Sequence, residues 1–318
     1  MSVPANRIAV VEIPVPPVRI VPSFQKLVVV LIKPTHDDDA GFPHRYWRGV
    51  LPSNSLAVMR ALTEQAVGEI LPNGFPVEIH MLEDGIARHA AQLRRLMKRF
   101  PEPGTKLVVG LVAVQTAQFP RAQVLITRWQ QRGATCVIGG FHVSGSISTM
   151  LDGIHDATRR DVPCPHIMPP EVQALMDRGV VVFHGEAEDV WSTTLADILT
   201  DRQQQLCRGE KPGIWQAPMP KFPAKYFSRS FVTQMRTLDA NRGCPFACSF
   251  CCIIQVQGRT SRFRSPDAIV RYVEELCAQQ GRADFFFTDD NFARNPHWEQ
   301  VLDGLITLRK RGCKIFAT

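Results

Sequence analysis

The spacing of apolar and polar residues changes along the chain, and the changes mark out elements. Leu27 to Ile32 is continuously apolar, as in a strand buried on both faces. After Lys33-Pro34-Thr35 and the polar loop His36 to Gly41, residues Leu56, Met59, Leu62, Val67 and Ile70 share one face of a helix. That helix starts near Ser55 and stops at Asn73-Gly74. Val77 to Met81 alternates as a strand. Asp84 is placed to cap a second helix with Ile86, Ala90, Leu93, Met97 and Phe100 inward, closed by Pro101. Lys106 to Val112 predicts a strand, Pro120 to Gln131 a helix, and Thr135 to Ile138 a strand running into Gly139-Gly140-Phe141-His142. Beyond an irregular stretch containing prolines, Val180 to Phe183 predicts another strand, leading into His184-Gly185-Glu186-Ala187-Glu188. A helix with Val190, Trp191, Leu195 and Ile198 inward follows.

Strands and helices that alternate in this way predict a parallel sheet with helices on both faces. Ligands of such sheets sit beyond the carboxyl ends of the strands. Those ends carry Lys33-Pro34-Thr35, Gln115-Thr116, Gly139-Gly140 and Gly185-Glu186, where glycine lets the backbone approach a ligand closely. This organisation divides the chain into a tail (1–24), an α/β domain (25–200), a wrapping linker without periodicity (201–232) and a second domain (233–318). The second domain opens with a strand from Phe231 to Leu238. Ser265-Pro266-Asp267 starts a helix with Ile269, Val273, Leu276 and Cys277 inward, and Gly281 stops it. Asp284 to Thr288 is a strand ending at Asp289-Asp290-Asn291. Asn295-Pro296 begins a helix, and Lys314 to Phe316 a further strand. Such strand–helix units, with odd residues on the loops that follow the strands, suit the start of a barrel.

The chemistry concentrates in Asn241-Arg242-Gly243-Cys244-Pro245-Phe246-Ala247-Cys248-Ser249-Phe250-Cys251-Cys252, a C-x3-C-x2-C pattern on one turn. Thiolates are the usual ligands of iron–sulfur clusters, and three on a four-iron cluster leave one iron open. Zinc would require four ligands, with Cys252 too close to Cys251 to be a comfortable fourth, and three buried core cysteines are the bland alternative.

Composition narrows the picture a little. The 318 residues suffice for about two domains. Nine cysteines do not pair as a disulfide framework, which predicts a reducing, cytoplasmic setting. No apolar run reaches the ~20 residues of a membrane span, and the amino terminus lacks the pattern of a signal peptide. The net charge of +7, with Arg242, Arg259, Arg262 and Arg264 around the cysteine loop, predicts a solvated basic face. It would equally suit a rim for an anionic cosubstrate or an acidic electron donor; no recognition motif points to nucleic acid. Asp37, Asp38 and Asp39 read as a solvated loop.

The cysteine loop, with Phe250 before its last thiol, resembles that of the radical S-adenosylmethionine (radical SAM) superfamily. Gly139-Gly140-Phe141-His142 and Gly185-Glu186-Ala187-Glu188, both at strand ends upstream of it, resemble the cobalamin-binding domain of one large subgroup. The resemblance covers about residues 25 to 318. It implies a flavodoxin- or Rossmann-like cobalamin-binding domain, followed by the first part of a partial TIM barrel. By this resemblance Cys244, Cys248 and Cys251 hold a [4Fe–4S] cluster whose open iron takes S-adenosylmethionine, and reductive cleavage yields a 5′-deoxyadenosyl radical. Asp289, Asp290 and Asn291 would help hold that cosubstrate, and Thr116, Gly139, Gly140, His142, Gly185 and Glu186 would contact cobalamin. Lys33-Pro34-Thr35-His36 departs from the Asp-x-His-x-x-Gly that supplies histidine to cobalt. Cobalamin would then bind with its own base displaced and no protein histidine in its place, leaving His142 as a corrin or tail contact.

The resemblance further implies an enzyme that methylates an unactivated carbon of a small-molecule substrate, with a flavodoxin- or ferredoxin-type electron donor. A cyclase or rearrangement enzyme of the same architecture and a non-catalytic cobalamin sensor are the alternatives. Methylthiotransferases share the cysteine loop but need three further cluster cysteines, which Cys136 and Cys164 do not supply. Only the first strand–helix units of the barrel are present, so the chain alone is expected to aggregate and to lack turnover.

Overall fold

The computed structural model describes residues 19–153, 164–246, 248 and 251–318; the rest of the tail and Phe250 lie outside the described residues. The first unit runs β1 (Lys26–Lys33), α1 (Asn54–Ile70), β2 (Val77–Glu83), α2 (Ala87–Arg99), β3 (Thr105–Leu111), α3 (Phe119–Gln130), β4 (Thr135–Gly139), α4 (Phe141–Ile147), α5 (Pro170–Asp177), β5 (Val181–His184), α6 (Trp191–Leu199) and β6 (Leu206–Arg208). All six strands are parallel, in the order β2-β1-β3-β4-β5-β6. β1 sits between β2 and β3, with Val30 opposite both His80 and Val109, so both of its edges are paired; helices cover both of its faces, which accounts for its continuous apolar run. Leu27, Val29 and Leu31 pack with α1 and α6, and Val28, Val30 and Ile32 with α2, α3 and α5. The strand order turns back between β1 and β3, the crevice where ligands of open α/β sheets bind.

The second unit contains β7 (Arg236–Leu238), β8 (Asn241–Arg242), α7 (Ile253–Val256), β9 (Arg262–Phe263), α8 (Pro266–Gln280), β10 (Arg282–Phe287), α9 (Trp298–Lys310) and β11 (Lys314–Ala317). β7, β10 and β11 form a parallel three-stranded sheet, while β8 and β9 pair antiparallel. Helix α8 follows its signals: Pro266 lies in the first turn and Gly281 ends it in the left-handed region at φ 72°. Its core unites Leu238, Ile269, Val273, Phe285 and Val301. Among the described residues no helix is long and apolar enough to cross a membrane.

Several expectations need correction. Asp84 does not cap α2; it is fully buried, with Arg121 Nε at 2.6 Å and Arg45 Nη2 at 3.2 Å, and Ile86 occupies the cap position without a side-chain bond. The stretch read as linker supplies the edge strand β6, and it buries Tyr226, Phe227 and Phe231 against the α1/α6 face. The Tyr226 hydroxyl donates to Glu83 Oε1 at 2.7 Å. Phe231 therefore belongs to the first core, and the strand of the second unit starts only at Arg236. α4 and α5 lie in the stretch read as irregular. Cys277 and Cys313 form a disulfide between α8 and the turn before β11, where no disulfide was expected. Packing brings their Cα atoms to 5.9 Å across 36 residues, a closeness that spacing does not reveal.

Candidate functional site

A cavity of about 570 Å³ lies where the carboxyl ends of the first sheet meet the second unit, a size suited to a small-molecule ligand. One wall contains Lys33, Gly110, Gly139, Gly140, Ser144 and Gly185; the facing wall contains Asp239, Asn241, Arg242, Gln257, Asp289 and Asp290. Glycines stand at the ends of three neighbouring strands, and at those positions no side chain projects from this wall. A Cβ on Gly110 would lie 3.1 Å from Leu31 Cδ2, and one on Gly139 3.3 Å from Phe183 Cβ. The smooth wall fits the flat face of a large ring, and this is the observation that makes a corrin acceptable here.

Gly140 and Gly185 have a second reason to be glycine. At φ 140° the Cβ of any residue at position 140 would stand 2.2 Å from Val114 N. At position 185, with φ 98°, it would stand 2.1 Å from Gly209 O. These glycines admit neighbouring backbone as well as any ligand. Ser144 links the two loops, its Oγ accepting the Gly185 N–H at 3.1 Å.

The residues picked from sequence divide into two groups. Gly139, Gly140, Gly185, Glu186, Asp289 and Asp290 come together around the cavity; Thr116, His142 and Asn291 are not in its lining. His142 turns to the α3/α5 side, where its Nδ1 lies 3.3 Å from Thr116 Oγ1 and its ring 4.2 Å from that of Phe119. Burial lowers its pKa, with Glu171 opposing. Asp289 accepts the backbone N–H groups of Ala240 and Asn241, so it staples the end of β10 to the approach of the cysteine loop. Burial pushes its carboxyl up to about 6, against those two donors. Asp290 is exposed, and Asn291 Oδ1 caps a short turn through Ala293 N–H at 3.0 Å.

Cys244 is buried, Cys251 half-buried, and Cys248 and Cys252 are exposed; none of them is in a disulfide. Among the described residues no three metal-binding side chains are already gathered around one point. The donor set nonetheless suits an iron–sulfur cluster: three thiols uncommitted to other bonds, on a loop whose shoulders Arg242, Ile253 and Gln257 line the cavity. Cys136, by contrast, is a core thiol that burial pushes up to about 12.

The expected solvated basic face is not found. Arg262 and Arg264 are buried, and Arg242 is nearly so, each engaged inside the protein. Arg242 reaches Glu188 at 2.6 Å, Asp239 at 2.9 Å and Glu186 at 3.0 Å. Arg262 reaches Glu186 Oε1 at 2.5 Å, and Arg264 reaches Asp239 Oδ1 at 3.1 Å. Burial opposes the charge of Asp239, but Arg264 and Arg242 outweigh it and hold the carboxyl well below its ordinary range. Asn54, at the start of α1, also donates to Asp239 Oδ1 at 2.9 Å. Sequence reasoning missed Asn54, Ser144 and Asp239. Only Asp239 carried a signal, an acidic residue just past a strand end and ahead of the cysteines.

No family model matches the chain. Bacteriochlorophyllide d C-8(2)-methyltransferase of Chlorobaculum tepidum is 26% identical over 208 residues, 61% of this chain and 40% of that protein. Bacteriochlorophyllide d C-12(1)-methyltransferase of the same organism is 30% identical over 140 residues, 41% of this chain and 30% of that protein. The chain thus matches well under half the length of either relative. In structure it is similar to the radical S-adenosylmethionine methyltransferase TsrM of Kitasatospora setae, solved with cobalamin and a [4Fe-4S] cluster. That likeness has a TM-score of 0.52 at 15% identity, over 90% of this chain and 53% of that one. In fold the chain is thus similar to a radical S-adenosylmethionine methyltransferase solved with cobalamin and a [4Fe-4S] cluster, and in sequence it is similar to bacteriochlorophyllide methyltransferases.

Proposed function

We propose that the chain is the cofactor-binding part of a cobalamin-dependent radical SAM methyltransferase acting on an unactivated carbon of a small-molecule substrate. The single observation that carries this reading is the cavity between the two units, with its glycine wall on one side and the shoulders of the three-cysteine loop on the other. Cys244, Cys248 and Cys251 would hold a [4Fe–4S] cluster. When bound, the cluster and S-adenosylmethionine would supply radical chemistry, and cobalamin the methyl group.

The chain's own residues perform the positioning. Gly110, Gly139 and Gly185 clear a face for the corrin, and no imidazole of the described residues lines the cavity to compete for cobalt. Asp290, exposed at the cavity, offers a carboxylate to the ammonium group of S-adenosylmethionine, whereas Asp289 holds the backbone beside it. An electron donor of flavodoxin or ferredoxin type and a cytoplasmic setting belong to the same proposal. The relatives named above favour methyl transfer over ring closure or rearrangement on the same scaffold.

The test is anaerobic reconstitution with iron and sulfide, read by absorption and electron paramagnetic resonance with and without S-adenosylmethionine, beside a titration with hydroxocobalamin. About four irons per chain and a spectrum that S-adenosylmethionine perturbs, both lost in Cys248→Ala, support the reading. Zinc in place of iron, or a cluster indifferent to S-adenosylmethionine, would overturn it.

A further inference from the structure

β8 and β9 are the stem of the cysteine loop: they pair antiparallel with Arg242 directly opposite Arg262, and the thiols lie on the chain between them. Like charges facing each other across a strand pair repel. Within its own unit Arg242 is offset by Asp239 at 2.9 Å, whereas Arg262 meets only the carbonyls of Pro212 and Gln257 besides Glu186 among the described residues. Glu186, from the loop after β5 in the other unit, lies between the two guanidinium groups. Its Oε2 accepts from Arg242 at 3.0 Å and from Arg262 at 2.7 Å, and its Oε1 takes a second bond from Arg262 at 2.5 Å. All three side chains are at most 14% exposed, so the attraction is little screened. Glu188 adds a bond to Arg242, at 2.6 Å. Inside the loop the stem geometry continues, with Cys244 N–H donating to Gly258 O at 3.1 Å and Gly243 N–H to Gln257 Oε1 at 3.1 Å. Glu186 also lines the cavity, next to Gly185.

We infer that Glu186 is a positioning residue that closes the stem of the cysteine loop from the other unit, and so couples occupancy of the cavity to the geometry of the thiols. A ligand against Gly185 and Glu186 restrains the loop after β5, and through Glu186 it restrains Arg242, two residues before Cys244. The same coupling runs in reverse, from a filled cysteine loop to the cavity. The stem role stands on geometry alone; the coupling rests on the cavity being the cobalamin site.

The test uses the full chain, anaerobic and free of metal, with N-ethylmaleimide as probe and mass spectrometry to follow each cysteine. Cys244 reports the loop, and Cys136, buried in the first sheet, reports general loosening. Glu186→Gln should speed alkylation of Cys244 about tenfold while leaving Cys136 unchanged, and Glu188→Gln should act in the same direction but less. Saturating hydroxocobalamin should slow Cys244 in the wild type and have no effect on it in Glu186→Gln. Acceleration of Cys136 and Cys244 together in both variants, or no change at Cys244, would overturn the inference. If Glu186→Gln alone loosens Cys136, Glu188→Gln decides by the same criterion. Failure of the wild type to bind hydroxocobalamin, with the Cys244 effect intact, would overturn the cobalamin reading and the coupling while upholding the stem role.

Discussion

Replacing Gly140 by alanine should be among the most damaging small changes in the first unit, and the size of the effect follows from two separable terms. The residue sits at φ 140° and ψ −174°, a region that essentially only glycine occupies, so alanine incurs about 1–3 kcal/mol of backbone strain. Its Cβ would also stand 2.2 Å from Val114 N and 2.7 Å from both Ala113 C and Val114 O, all backbone atoms that no rotamer change moves aside. Relief requires the loop after β3 to shift. That shift breaks the bonds from Val114 N–H to Gly139 O at 3.1 Å and from His142 N–H to Val114 O at 3.0 Å. Each lost bond costs about 1 kcal/mol net, which brings the total to about 3–5 kcal/mol. Gly133→Ala is the control: φ is 74° there, yet nothing lies within 4 Å of the added Cβ, so only strain of about 1–2 kcal/mol applies. Thermal denaturation at fixed protein concentration should lower Tm by about 10 °C for Gly140→Ala and by about 4 °C for Gly133→Ala, at about 2–4 °C per kcal/mol. Equal losses in the two variants would refute the steric argument and with it the account of why the Gly-Gly turn exists.

Asp239→Asn removes the charge that Arg264 and Arg242 share in a buried setting; it should cost about 3–5 kcal/mol in urea unfolding. The double change with Arg264→Met should cost less than the sum of the singles. His89 is held near neutral in the fold, its pKa lowered to about 4 by burial, so its contribution is complete above about pH 6.5 and is lost as pH falls through about 4. Wild type should therefore lose about 2 kcal/mol more than His89→Gln between pH 7 and pH 5. The comparison with the variant matters because Asp289, raised to about 6, contributes with the opposite sign in part of that window: its stabilisation is lost as pH rises through about 6. Tyr226→Phe leaves Glu83 with Ser53 N–H at 2.9 Å but without its hydroxyl donor. It should cost about 1–3 kcal/mol, measurable by the same urea titration.

The local pattern of the sequence was enough for the alternating strands and helices from β1 to β4, for β5 and α6, and from α8 to β11, because period and caps act over a few residues; it did not reveal α4 and α5. The cysteine loop was visible as a pattern of three thiols, and the fold sets that loop between β8 and β9, beside the cavity. The local pattern did not reveal β6, whose three residues Leu206–Arg208 carry no period and form a strand only because β5 offers an open edge. The same holds for Tyr226, Phe227 and Phe231, isolated aromatics in sequence that become core only when the segment wraps onto α1 and α6. The arginines were the clearest misreading. A count of charge placed them in solvent, whereas the fold buries Arg262 against a carboxylate 76 residues away and Arg264 against one 25 residues away. Composition and spacing decide which chemistry a chain can carry; the partner of each charge is decided only in three dimensions, because an ion pair depends on distance in space and on the exclusion of water, neither of which is written in local order.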